Sequence, residues 1–170
     1  MTDDASPEIR PMRPGDWPRV EEIYAQGIAT DDATLETETP SREAWDDSHL
    51  DVGRLVAVAG GRVEGWAALS PISGRCVYRG VAEVSVYVAE GARGRGLGTR
   101  LLDALVQRSE EEGYWTLEAG IFPENDASLR AFEKAGFRRV GLREGLGRQG
   151  DGEWRDVVLM ERRSETVGVR

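Results

Sequence analysis

A chain of 170 residues encloses one hydrophobic core and is short for two. Its 39% hydrophobic and 31% charged residues are those of a folded soluble protein, and a net charge of −9 opposes phosphate backbones and anionic lipid, which argues against nucleic-acid and membrane partners. Cys76 is the single cysteine, which excludes an internal disulfide and a cysteine-rich metal site; the polar, acidic start is no secretory signal and no apolar run reaches membrane-spanning length, so cytoplasm without a metal is the expectation.

In chain order, residues 1–7 are expected to be a flexible lead-in, and Glu8 to Met12 predicts a short strand. Pro14-Gly15 then breaks the chain, and Asp16 offers a side-chain cap to a helix on which Val20, Ile23, Tyr24 and Gly27 fall at helical spacing. The polar stretch Thr30 to Thr39 is a candidate substrate loop, after which Thr39-Pro40 opens a second helix carrying Trp45. Arg54 to Ala59 and Arg62 to Leu69 are β-rich and flank Gly60-Gly61, the pattern of an antiparallel hairpin. Val81 to Val88 is rich in β-branched residues and predicts a central strand with one charge, Glu83.

A glycine-rich turn leads from that strand into a helix with Leu101, Leu102, Leu105 and Val106 on its apolar face, ending near Gly113. Trp115 to Phe122 predicts another strand. Asn125 or Asp126 caps a helix that carries Leu129, Phe132 and Glu133 and stops at Gly136. Phe137 to Leu142 and Trp154 to Glu161 are the last strands, joined through a polar turn at Gly145 to Gly152, and residues 164–170 are expected to be a loose tail. One α/β domain over residues 8–163, without internal repeats, is the organisation expected.

The turn from Arg93 to Gly98 has the features of a pyrophosphate cradle. Glycines let backbone N–H groups approach a ligand, the following helix N-terminus adds partial positive charge, and Arg93, Arg95 and Arg100 supply cations in an acidic protein. A Walker loop is excluded because no lysine follows, and the dinucleotide fingerprint fails because Thr99 stands where its third glycine belongs. A solvated loop between strand and helix is the alternative.

Arg93-Gly94-Arg95-Gly96-Leu97-Gly98 resembles the coenzyme A pyrophosphate motif of GNAT acetyltransferases, and Val86-Tyr87-Val88, Asn125 with Ser128, and Phe132-Glu133-Lys134-Ala135-Gly136-Phe137 stand in that superfamily's order and spacing. Ala33-Thr34-Leu35-Glu36-Thr37-Glu38, Gly65-Trp66-Ala67-Ala68-Leu69-Ser70-Pro71, Arg75 with Tyr78, and Trp154-Arg155-Asp156-Val157 make the chain similar to the phosphinothricin and methionine sulfoximine acetyltransferase branch. The resemblance implies a mixed, mostly antiparallel sheet of six to seven strands with helices on both faces, split centrally to admit acetyl-CoA. It also implies a homodimer and a small amino-acid-like amine as acceptor.

Acetyl transfer to an amine requires a base, and a lone carboxylate in an apolar strand has a raised pKa suited to that task, so Glu83 is the candidate; a solvent-facing or arginine-paired glutamate is the alternative. Its position also matches the glutamate proposed as base in the resembling branch. The resemblance assigns cofactor contacts to Val86, Tyr87, Val88, Arg93, Gly94, Arg95, Gly96, Leu97, Gly98, Thr99, Asn125, Ser128 and Lys134. It assigns acceptor contacts to Leu35, Arg75 and Tyr78, with backbone N–H groups of residues 86–88 facing the developing oxyanion. Phe132 stands where a tyrosine or histidine acid is expected, so no acid is assigned. His49, the only histidine, is expected at the surface, and Cys76 as a packing residue. An acyl-CoA-binding sensor and a protein N-acetyltransferase are the other readings.

Overall fold

A computed structural model describes residues 6–169. Its strands are β1 (Glu8–Pro11), β2 (Leu55–Ala59), β3 (Arg62–Pro71), β4 (Val81–Val88), β5 (Thr116–Ile121), β6 (Arg138–Arg148) and β7 (Trp154–Arg163). Helices α1 (Trp17–Ala29), α2 (Arg42–Ser48), α3 (Leu97–Glu111) and α4 (Asp126–Lys134) connect them. The strands form one sheet in the order β1-β2-β3-β4-β5-β7-β6, parallel only between β4 and β5. This is the mixed, mostly antiparallel sheet that the sequence leads one to expect.

Alternation along β3 sorts the helices to the two faces. Trp66 meets the rings of Tyr24 from α1 and Trp45 from α2, while a Cβ on its neighbour Gly65 would lie 2.9 Å from Leu101 of α3. Trp66, Leu69, Leu101, Leu102, Leu105 and Met160 are fully buried, each such side chain contributing about 1.5–3 kcal/mol. The β2–β3 hairpin turns through Gly60 and Gly61 with φ of 59° and 74°, a pair of left-handed residues that glycine supplies without strain.

Four local expectations change. Asp16 does not cap α1: its carboxylate accepts two bonds from Arg10 (2.8 and 2.9 Å) and one from the Arg13 N–H (2.7 Å), while Pro18 removes one N–H that a cap would serve. Ser41, rather than Thr39-Pro40, opens α2, its hydroxyl accepting from the Ala44 N–H at 3.1 Å. β6 extends through Gly145 to Arg148 because a register shift between Arg143 and Gly147 absorbs the glycines and leaves the turn to residues 149–153. Residues 164–168 are tied down rather than loose: the Ser164 hydroxyl donates to Glu110 (2.9 Å), and Arg163 donates to the Val167 carbonyl (2.8 Å). Residues 1–5 of the expected lead-in, and Arg170, lie outside the described residues.

Candidate active site

The central feature is a short parallel ladder. β4 and β5 pair only at Val81 with Thr116, Ala82 with Leu117 and Glu83 with Glu118, whereas β4 stays paired with β3 as far as Val88. Beyond Glu83 the sheet therefore opens as a wedge between β4 and β5.

On the α3–α4 side the wedge is a cleft of about 420 Å³. Val86, Tyr87 and Val88 form one wall; Arg93, Gly94 and Gly96 to Thr99 form the second; Asn125, Ser128 and Phe132 the third. Gly94 and Gly96 have φ of 80° and 77°, and α3 begins at Leu97, so its first N–H groups belong to the cleft wall. An elongated anionic ligand fits this donor set. None of the ion pairs among the described residues consumes Arg93. Asn125 uses Oδ1 to cap α4 at the Ser128 N–H (3.2 Å) and Nδ2 to hold the Asp32 carbonyl (3.2 Å), leaving one N–H and one lone pair free.

Two residues expected at the cofactor stand outside this cleft. Arg95 lines a separate surface recess together with Glu22 and Glu64, because the turn sends it away from Arg93. Lys134 occupies the exposed last turn of α4, nine residues from Asn125 and so about 13 Å along the axis.

On the opposite, α1–α2 side lies a cavity of about 470 Å³. Val86, Tyr87, Asn125, Ser128 and Phe132 border both spaces, so cleft and cavity meet through the split. Glu83 lines the cavity and is exposed to solvent at its mouth, with protein packed around its other sides. That burial raises its carboxyl pKa above the ordinary value, Glu118 raises it further, and Arg143 opposes both. Tyr87 stacks on Trp66 (4.8 Å) and Tyr24 (5.0 Å), and burial pushes its phenol well up. Gly27 makes room for that ring, since a Cβ there would lie 2.6 Å from it.

The loop between α1 and α2 closes the cavity. Arg155 bonds the Asp31 carbonyl and pairs with Asp32 at 3.6 Å, and Gln149 donates to the Glu36 carbonyl at 3.1 Å. Leu35 lines the cavity and packs where a Cβ on Gly147 would come within 2.8 Å of it.

Arg75 and Tyr78 are placed elsewhere: they flank an exposed 3-10 turn between β3 and β4, Arg75 lies 5.9 Å from the Tyr78 ring, and neither lines the cavity. Cys76 on that turn is exposed rather than packed. His49 is the opposite case, a cavity residue expected at the surface. It stacks on Trp45 at 4.2 Å, its Nδ1 contacts the Trp45 carbonyl at 2.7 Å, and burial lowers its pKa. The four-residue spacing from Trp45 was the available signal. Glu118 and Arg143 also line the cavity, and nothing local in the sequence marks them.

The acetyltransferase (GNAT) family model matches residues 17–137. The chain is 34% identical over 166 residues to the L-methionine sulfoximine/L-methionine sulfone acetyltransferase of Pseudomonas aeruginosa, covering 92% of this chain and 94% of that protein. It is 33% identical over 170 residues to the phosphinothricin N-acetyltransferase of Streptomyces coelicolor, covering 95% and 99%. The crystal structure of a GNAT superfamily phosphinothricin acetyltransferase from Sinorhizobium meliloti in complex with AcCoA is similar with a TM-score of 0.82 at 29% identity, covering 95% of each chain. With most of its length matched and its sheet split beside a glycine-rich turn, the chain belongs to the acetyltransferase (GNAT) family.

Proposed function

We propose that the protein transfers the acetyl group of acetyl-CoA to the primary amine of a small amino-acid-like acceptor of the phosphinothricin, methionine sulfoximine or methionine sulfone type. The observation that carries this reading is the meeting of cleft and cavity at the split, with Glu83 on the acceptor side and the Arg93–Thr99 turn on the other. Acetyl-CoA supplies an activated acyl carbon and a thiol leaving group. The turn and the α3 N-terminus hold its pyrophosphate, and Arg93 adds charge. Glu83 takes a proton from the acceptor ammonium, freeing the nitrogen lone pair to form the new N–C bond as the C–S bond breaks; the second proton that the acylated nitrogen sheds passes to solvent water. Such a base contributes about 10²–10⁴ in rate. Backbone N–H groups of Val86 and Val88, on the edge of β4 that faces away from β3 and has no partner there in β5, receive the charge that develops on the carbonyl oxygen.

Phe132, 8% exposed and packed edge-on against Phe137 at 5.0 Å, donates no proton. The thiol, with an ordinary pKa of about 8.5, leaves as thiolate and takes its proton from water. Closure of the cavity by the α1–α2 loop against Gly147 and Gln149 favours a small acceptor over a protein chain. A homodimer in the cytoplasm is the working form we assign, supported on the assembly side by the exposed apolar residues Val140, Leu142 and Trp154 along β6 and β7.

Thiol release from acetyl-CoA with methionine sulfone, methionine sulfoximine, phosphinothricin, free amino acids and short peptides tests the proposal. Turnover with one small amine, lost in Glu83→Gln while acetyl-CoA still binds, is the expected result. Tight acetyl-CoA binding with no turnover on any acceptor would establish the sensor reading, for which the absence of an acid at Phe132 speaks.

A further inference from the structure

β6 carries four arginines, and three are occupied. Arg138 pairs with Glu161 at 2.7 Å, Arg139 pairs with Glu133 at 2.8 Å, and Arg148 lies over the Trp154 ring at 5.5 Å. Arg143 takes part in none of the ion pairs or ring contacts among the described residues and lines the acceptor cavity. Asp156, beside it at the β6–β7 bulge, is already bonded to the Gly145 N–H at 2.8 Å.

Opposite Arg143, Glu83 and Glu118 sit side by side as register partners at the last rung before the sheet opens, and both line the same cavity. The row continues from Glu118 to Glu161, whose charge Arg138 already neutralises. Like charges directly opposite on neighbouring strands destabilise a sheet, so the Glu83–Glu118 pair calls for a cation. No lysine or arginine among the described residues forms an ion pair with either. Arg143 influences Glu83 yet stands beyond the 4.0 Å of an ion pair, which leaves a gap between two carboxylates and one guanidinium.

A ligand with an ammonium at one end and an oxyanion at the other satisfies all three groups. Resting on the acetyltransfer reading above, we infer that Glu118 shares the acceptor ammonium with Glu83 while Arg143 binds the acceptor's carboxylate, so the cavity selects a zwitterion over a plain amine. Arg143 offers a planar fork of donors suited to a carboxylate, and Glu118 acts as a positioning residue that holds the nitrogen against Glu83.

The test is calorimetric binding of L-methionine sulfone and of its decarboxylated analogue, 3-(methylsulfonyl)propylamine, to the full chain loaded with coenzyme A. Arg143→Gln should weaken methionine sulfone about 10- to 100-fold and the plain amine less than about twofold, the loss of one charge-assisted contact. Arg143→Lys should restore part of that loss. Glu118→Gln should weaken both ligands alike, by about tenfold. Coenzyme A binding should stay unchanged in every variant, which reports an intact fold. Equal effects of Arg143→Gln on both ligands, no effect on either, carboxylate-selective loss in Arg75→Gln instead, or absence of any binding by the wild type would each overturn the inference. Thiol release is read separately: Arg143-dependent binding without turnover supports the zwitterion site and sinks the acetyltransfer reading.

Discussion

Replacing Gly27 by alanine would set a methyl group 2.6 and 2.7 Å from two carbons of the Tyr87 ring. Carbon atoms pack at about 3.5–4.0 Å, so the ring would have to retreat by about 1 Å. It has little room to do so, because Trp66 at 4.8 Å and Tyr24 at 5.0 Å stack against it and Trp66 is fully buried. Overpacking of this kind costs about 1–3 kcal/mol, and the rigid stack places this site near the upper end. Alanine's better helix propensity returns about 1 kcal/mol. The net loss is about 1–2 kcal/mol, or a melting temperature about 2–8 °C lower for a chain of this size. Tyr87 borders both cleft and cavity, so a 1 Å displacement should also cost about 10² in kcat/KM. Thermal melts and thiol-release kinetics measure the two effects, and Tyr87→Leu should be less harmful in the Gly27→Ala background than alone. A melting temperature that rises by a few degrees with unchanged kinetics, the behaviour of an exposed helical glycine, would refute the reasoning.

Glu83 works only when deprotonated, and its pKa is raised, so kcat/KM should climb with pH through a limb above the ordinary glutamate value of about 4.3. Glu118→Gln removes a raising influence and should move that limb to lower pH; Arg143→Gln removes a lowering one and should move it up. Arg155→Ala removes the side chain that ties Asp31 and Asp32 of the α1–α2 loop to β7, and should raise KM for the acceptor about tenfold while changing KM for acetyl-CoA less, as steady-state kinetics would reveal. Asp16→Asn should cost about 1.5–3 kcal/mol in urea melts at neutral pH. The Asp16 pKa is lowered chiefly by its bond to Arg10, so this stability is full above the unfolded value and is lost as pH falls through the folded one; the variant should lack that acid limb.

What was legible in the sequence is what short-range pattern encodes. The Gly60-Gly61 hairpin, the β-branched central strand and the apolar face of α3 follow from spacing within a few residues, and Glu83 stands out as one charge in an apolar run. Glu118 and Arg143 reach the same cavity only through the β4–β5 and β6–β7 registers, which no local window contains. His49 was hidden by its acidic neighbours, although Trp45 four residues earlier supplies the surface it stacks on. Arg95 and Lys134 illustrate the reverse: both carry the right charge on the right elements, yet the turn direction and the length of α4 carry them away from the cleft. Asp16 has the composition of a cap, but Arg10 and the Arg13 N–H engage its carboxylate.

The split between β4 and β5 also defines how a single compound could occupy the protein from both sides at once. Because cleft and cavity meet beside Val86 and Tyr87, an acceptor nitrogen joined through a short acyl spacer to a coenzyme A sulfur would pass through the split in the sheet. Each half would hold the other at high local concentration, so the conjugate should bind more tightly than either fragment, provided the spacer matches the thickness of one strand.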